Sequence, residues 1–228
     1  MTRHAIFPGA SLLLGLALLS GCASTSHYAG PDYSAFKESR PASILVLPPL
    51  NTSPDVDASL SMLSQVTYPL AESGYYVVPV TLANETFRQN GLTTPDDIHQ
   101  LPIDKLRKIF GADAALYINV TQYGTSYKII SSETRVTADG ELIDLRNGRS
   151  LWKGHATASS AEGDNNNNNG LVGMLVKALI NQIADSINDK GHTIAGVTSF
   201  RLLAASTAGG LLYGPRSPKY LKEGGPDH

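Results

Sequence analysis

A single cysteine, Cys22, stands among 228 residues, so no disulfide can form within one chain. Neither sign of charge dominates: 18 Lys and Arg against 20 Asp and Glu give a formal net charge of −2. That excludes holding nucleic acid by counterion release, which needs a strongly basic surface. Sequence-local signatures of catalysis are missing as well. There is no G-x-x-x-x-G-K-[ST], no G-x-S-x-G and no G-x-G-x-x-G between a strand and a helix, the spacings that cradle phosphate, expose a serine or bind a dinucleotide. His27, His99, His155 and His192 are scattered singly, without the H-x-x-x-H step that sets two imidazoles on one metal. Asp55 with Asp57 and Asp96 with Asp97 lie where helices begin, and the helix dipole accounts for them. The chain thus reads as a protein that is not an enzyme and holds no cofactor or metal, although a site assembled from distant residues leaves no local signature.

Apolar runs of membrane-spanning length are absent too. The run Ala5 to Leu19 falls short of the ~20 residues a span needs. It follows Thr2-Arg3-His4 and leads into Leu19-Ser20-Gly21-Cys22, the basic, apolar and small-residue regions of a secretory signal. Leu-Ser-Gly-Cys matches the bacterial lipobox, so cleavage is expected between Gly21 and Cys22, with the thiol taking fatty acid (palmitate). Each buried methylene contributes about 0.8 kcal/mol, and several acyl chains make the anchor durable. Ala23 and Ser24, where an inner-membrane sorting signal would carry aspartate, resemble an outer-membrane address; the periplasmic face is expected. Removing residues 1–21 takes away Arg3 and turns the net charge from −2 to −3.

Four regions follow: signal peptide 1–21, lipidated N-terminus and flexible tether 22–42, globular domain 43–190, and C-terminal extension 191–228. The tether is rich in Ser, Ala, Gly and Pro, and as a coil its roughly 20 residues span about 25 Å. At 42% hydrophobic residues the remainder can bury a core. Ser43 to Leu47 reads as a buried strand closed by Pro48-Pro49. Ser53 and Pro54 offer a helix start, with Leu60, Leu63, Val66 and Leu70 facing the core, a disturbance at Pro69 and an end near Gly74. Tyr75 to Val80 is β-branched and aromatic, a second strand parallel to the first. Helices over Leu82–Gln89 and Pro102–Phe110 flank another start at Thr94-Pro95-Asp96-Asp97. Ala114 to Tyr123 alternates as a strand with one buried face. Strand signals then continue to Ser160, with a hairpin at Asn147-Gly148 and, at Asp139-Gly140, either a second hairpin or, the preferred reading, a bulge within one long strand. The fold class is α/β: a mixed sheet with parallel N-terminal strands, later antiparallel hairpins and helices packed on it.

Five consecutive asparagines lie in the loop 163–170. Leu171 to Asn188 resumes a helix whose stripe Val172, Val176, Leu179, Ile183 and Ile187 is wide enough to close the core or to meet a second subunit. The tail Ile194 to Leu212 is apolar but broken by Arg201 and Gly209-Gly210, unsuited to a bilayer. It packs on its own domain or on a partner, and Tyr213, Pro215 and Arg216 in its Pro-rich end form a candidate recognition segment. Tyr75, Tyr76, Tyr117, Tyr123 and Trp152 are either core aromatics or the lining of a ligand site.

The stretches Asp32 to Lys37, Ser43 to Leu50, Ala71 to Val77, Gly111 to Tyr117 and Gly214 to Pro218 resemble a bacterial lipoprotein family typified by a meningococcal vaccine-candidate antigen, over nearly the whole mature chain. The hairpin Asp144 to Trp152 is similar to one in proteins that share the TolB N-terminal-domain fold. These include curli-secretion-type lipoproteins and outer-membrane lipoproteins that activate peptidoglycan synthases. The resemblance implies a homodimer and a curli-secretion-like lipoprotein as envelope partner. It makes an accessory role in envelope assembly or secretion the leading expectation. The alternatives are activation of a peptidoglycan synthase and binding of a small envelope glycan or lipid.

Overall fold

A computed structural model of the chain describes residues 32–127, 132–164 and 190–222. The signal segment with Cys22, and the asparagine run with the expected helix 171–188, lie outside the described residues.

The first helix, α1 (Ser34–Ser39), falls inside the stretch expected to be tether. Phe36 is buried and its ring meets those of Tyr33 and Tyr75 at centroid distances of 6.4 and 6.5 Å. Six residues are too few for an independent helix, so this aromatic packing holds it. The described fold therefore already includes α1, ahead of Ser43.

Strand β1 (Ser43–Val46) is fixed at its start by Asp113, whose carboxylate accepts from the Ala42 and Ser43 amides and the Ser43 hydroxyl at 2.9–3.0 Å. After Pro48-Pro49 comes the short β2 (Leu50–Asn51). Ser53 does not cap a helix, because its amide and hydroxyl both donate to the Asn51 side chain. Helix α2 (Ala58–Gln65) begins behind Asp57 instead. The later start turns its face: Ala58, Ser61, Met62 and Leu63 point inward, whereas Leu60, expected in the core, is 62% exposed. Pro69 cannot donate to the Gln65 carbonyl and its ring crowds that oxygen. The helix accordingly breaks at Val66, and α3 (Thr67–Glu72) follows.

Strand β3 spans only Tyr76–Val77, shorter than the apolar run Tyr75 to Val80, because Pro79 has no amide to extend the ladder. Helices α4 (Val80–Gln89), α5 (Pro95–His99) and α6 (Ile103–Phe110) agree with the sequence signals. The Thr94 hydroxyl caps α5 by accepting from the Asp97 amide. Three long strands complete the sheet: β4 (Ala114–Tyr127), β5 (Ser132–Asp144) and β6 (Ser150–Ser159). Asn147-Gly148 sits in a five-residue loop, where Gly148 donates to the Asp144 carbonyl at 2.8 Å. β5 is one strand through Asp139-Gly140, as expected, but the register shifts lie elsewhere, at Thr121 in β4 and Leu151 in β6. Gly140 instead makes room for an indole: a Cβ there would lie 3.1 Å from the Trp152 ring.

Among the described residues the sheet runs β3-β1-β4-β5-β6, with β2 also on β4; β1 is parallel to β3 and β4, and β4, β5 and β6 are antiparallel. The mixed α/β class is therefore as expected. Alternation along β1 splits the core between the two faces. Ile44 and Val46 join Met62, Val66, Leu70, Leu116, Val136, Leu142 and Trp152 on one side. Leu45 and Leu47 join Phe87, Ile98 and Leu106 on the other, under α4 to α6. Helix α7 (Lys190–Leu203) closes the first core with Ile194, Val197, Leu202 and Leu203. Residues assigned to a C-terminal extension thus belong to the main core, and burying each such aliphatic side chain is worth roughly 1.5–3 kcal/mol.

Candidate functional site

His192, at the start of α7, lies 131 positions from Ser61 on α2, and its Nδ1 is 3.0 Å from the Ser61 hydroxyl. Tyr123 of β4 donates its hydroxyl to the same Ser61 oxygen at 2.9 Å. The ring's other nitrogen, Nε2, is 2.6 Å from the Gln65 amide nitrogen. A groove of about 470 Å³ opens over this network, edged by Asp55, Asp57, Leu60 and Ser64. Side-chain identity alone suggests a serine activated by an imidazole, but proton placement says otherwise. An amide nitrogen only donates, so Nε2 accepts, the proton sits on Nδ1, and His192 donates to Ser61. Ser61 then accepts from both His192 and Tyr123 and ties α2, β4 and α7 together. Sequence reasoning missed the cluster because Tyr123 and His192 lie far along the chain from the Ser61–Gln65 turn of α2 and no spacing links them to it.

A second polar cluster joins α1 to the β5–β6 hairpin around a pocket of about 240 Å³. The Asp144 side chain is 1% exposed and accepts from Arg146 Nε at 2.9 Å, Arg146 Nη2 at 2.6 Å and the Ser39 hydroxyl at 2.7 Å. Burial works to raise its pKa, yet the hydrogen bonds from Arg146 and Ser39 and the nearby guanidinium outweigh it and hold the carboxyl below the ordinary range. Arg146 also reaches the Ser39 carbonyl at 2.8 Å, and Arg149 pairs with Glu38 at 2.6 Å. The arrangement is a bidentate staple.

The third feature is a strap, residues 204–222, which returns from α7 across the start of β3. Trp152 Nε1 donates to the Gly209 carbonyl at 2.8 Å, Tyr33 to that of Gly210, and Tyr75 to that of Leu212. Gly214 donates to the Ser73 carbonyl and Arg216 to that of Gly74, at 2.8 and 3.0 Å. The two glycines meet backbone to backbone: a Cβ on Gly214 would lie 2.6 Å from the Gly74 oxygen, and one on Gly74, at φ +96°, would lie 2.4 Å from the Ser217 nitrogen. Neither position admits a side chain.

The predicted recognition residues are therefore brought together, on the strap. Tyr213 is half-buried, Pro215 and Arg216 are exposed, and the Arg216 guanidinium lies 5.3 Å over the ring of Tyr76, itself 46% exposed. Gly21, Cys22, Val172, Val176, Leu179 and Ile183 lie outside the described residues. Tyr75, Tyr123 and Trp152 are core side chains. His99 donates from Nε2 to the Pro48 carbonyl, 2.9 Å away, and stands edge-on to Tyr117, with burial lowering its pKa. His155 pairs with Asp139 at 2.7 Å. Among the described residues no three His, Cys, Asp or Glu side chains converge on a metal position, and no helix is long and apolar enough to cross a membrane.

A mixed sheet with helices on both faces and a returning C-terminal strap defines the class, an α/β domain. The family model described as "Putative lipoprotein GNA1162-like" matches residues 31–216, and the chain belongs to that family. It is 50% identical over 207 residues to the lipoprotein NMB1124/NMB1162 of Neisseria meningitidis serogroup B, covering 90% of this chain and 95% of the relative. It is also similar to the crystal structure of lipoprotein GNA1162 from Neisseria meningitidis, at 56% identity and a TM-score of 0.53 over 64% of this chain and 100% of that one. The LpoB C-terminal domain from Salmonella enterica matches 51% of this chain and 82% of its own at 18% identity and a TM-score of 0.39, too low to bear on fold or role. As a member of a lipoprotein family, the protein is a membrane-anchored protein of the cell envelope.

Proposed function

We propose that this protein is an accessory protein on the periplasmic face of the outer membrane, anchored through acylated Cys22 and acting by contact with other envelope proteins and not by catalysis. Membership of a lipoprotein family carries the reading. The early start of the fold sharpens it. Asp32 lies ten positions after Cys22, and even at full extension ten residues reach no further than about 35 Å, so the domain works close to the bilayer. The strap supports contact as the mode of action, because Tyr and Arg are the residue types that anchor protein interfaces. Within this reading the protein is a dimer, and its partner is a lipoprotein of the curli-secretion kind.

The anchor is tested by labelling cells with a palmitate analogue and separating inner from outer membranes. The native chain should carry label and travel with the outer membrane, and Cys22→Ser should do neither. An unmodified thiol at residue 22 of the mature chain would sink the reading. The partner is tested by crosslinking in living cells and identifying what is captured. Recovery of no specific protein, with normal surface assembly in a deletion strain, would refute the accessory role. A change in the rate of a purified peptidoglycan synthase on adding the protein would replace it with the activator role.

A further inference from the structure

At one end of the sheet β1, β4 and β6 begin, at Ser43, Ala114 and Ser150, and β5 finishes at Asp144. The segments that enter and leave there are basic. Arg40 closes α1 just before β1, Arg107 and Lys108 occupy the last turn of α6 before β4, and Arg146 and Arg149 sit in the β5–β6 loop. All are exposed, as is Lys37 on α1. Asp113 draws them together: its carboxylate holds the Ala42 and Ser43 amides, its carbonyl accepts from Leu145, and its charge acts on Arg146.

The carboxylates at this end do not cancel the cations. Arg146 is matched by buried Asp144 and Arg149 by Glu38. Lys37, Arg40, Arg107 and Lys108 remain, with half-buried Asp113 set against them. At the β3 margin Glu72 and Arg216 offset one another in formal charge. The opposite end of the sheet carries the opposite sign. Asp55 and Asp57 follow β2, and Asp96 and Asp97 lie on α5, whose His99 reaches the Pro48 carbonyl beyond the end of β1. Arg40 adds a second kind of observation, because it takes the left-handed cap of α1 at φ +46°, the position that suits glycine. A charge stands where the backbone favours no side chain.

We propose that this basic end is a membrane-facing surface, which binds the anionic phospholipid headgroups of the bilayer that holds the anchor. An anionic leaflet attracts Lys and Arg within a Debye length of about 8–10 Å. The chain supplies the proximity. It enters the described fold at α1, whose six residues span about 9 Å to Arg40. Ile109 stands between Lys108 and the end of α6 with 52% of its surface exposed, an apolar side chain suited to the headgroup boundary. The inference rests on the acylated anchor proposed above and gives the domain one orientation on the bilayer, with the acidic end and the groove at His192 turned away from it.

The test is flotation of the mature chain carrying Cys22→Ser, so that acyl chains contribute nothing. It should float with vesicles of equal parts phosphatidylglycerol and phosphatidylcholine, stay behind with phosphatidylcholine alone, and be released by salt. Each basic residue at an anionic surface changes partitioning about fivefold. Lys108→Gln should therefore weaken binding by that factor, and Lys190→Gln, at the start of α7, should leave it unchanged. Arg40→Gly separates binding from folding: glycine suits φ +46°, so the melting temperature should hold or rise while binding falls about fivefold. Equal flotation with both kinds of vesicle, or equal losses from Lys108→Gln and Lys190→Gln, overturns the surface. No flotation with either overturns it as well and leaves acylation standing, because the palmitate label on native Cys22 is read separately.

Discussion

Tyr33 and Gly210 stand 177 positions apart, yet the phenol hydroxyl of the first donates to the carbonyl of the second at 2.5 Å. The segment that opens the described fold is thereby tied to the strap that follows α7.

Tyr75 makes the neighbouring tie to Leu212, and burial pushes its phenol far above the ordinary pKa, so it is a neutral donor throughout the physiological range. Tyr75→Phe keeps the ring and removes the donor, which leaves a carbonyl unpaired. A loss of about 1–2 kcal/mol in urea unfolding is expected, with faster amide exchange over residues 209–216.

Gly214→Ala should be worse than its size suggests, because the new methyl would meet the Gly74 carbonyl at 2.6 Å. Backbone cannot give way as a side-chain tip can. The strap should lift, seen as new protease cleavage within residues 204–222, with about 2 kcal/mol or more lost while the sheet retains its circular dichroism.

Asp144 gives the protein an acid limit. Its folded pKa lies below the ordinary carboxylate value, so its stabilisation is complete above an unfolded pKa of about 4 and drains away as pH falls through the folded value. Asp144→Asn should cost about 1–3 kcal/mol at pH 7, and the gap from the native chain should narrow steadily below pH 4. Urea titrations at pH 7, 4 and 3 measure it; a constant gap would mean that the carboxylate charge contributes nothing.

Ser61 is assigned as an acceptor of two hydrogen bonds. Ser61→Ala should therefore reduce stability by about 1–3 kcal/mol through loss of the hydrogen bonds from Tyr123 and His192 and leave the envelope function intact. A fluorophosphonate that labelled Ser61 in the native chain would show a nucleophile and contradict the proton placement.

Several elements were legible because their signals are local. Thr94-Pro95-Asp96-Asp97 caps a helix with its own side chains, and Asn147-Gly148 bends the chain within a few residues. The misplaced helix start shows the limit. Ser53-Pro54 has the local chemistry of a cap, but Asn51 takes the serine's donors first, and the face turned enough to expose Leu60. The helix α1 was invisible for a related reason: six residues carry no periodicity, and tertiary contacts such as that with Tyr75 make Phe36 a core side chain.

By itself the sequence determined the lipobox, the mixed-sheet class and the alternating pattern of β4 to β6, since each depends on the order of neighbouring residues. Tertiary structure alone decided that His192 meets Ser61, that Tyr33 and Tyr75 hold the strap, and that Gly74 lies against Gly214. Those pairings join residues more than 120 positions apart, and it is the packing of α1, α2, α3 and α7 on one sheet that brings them together.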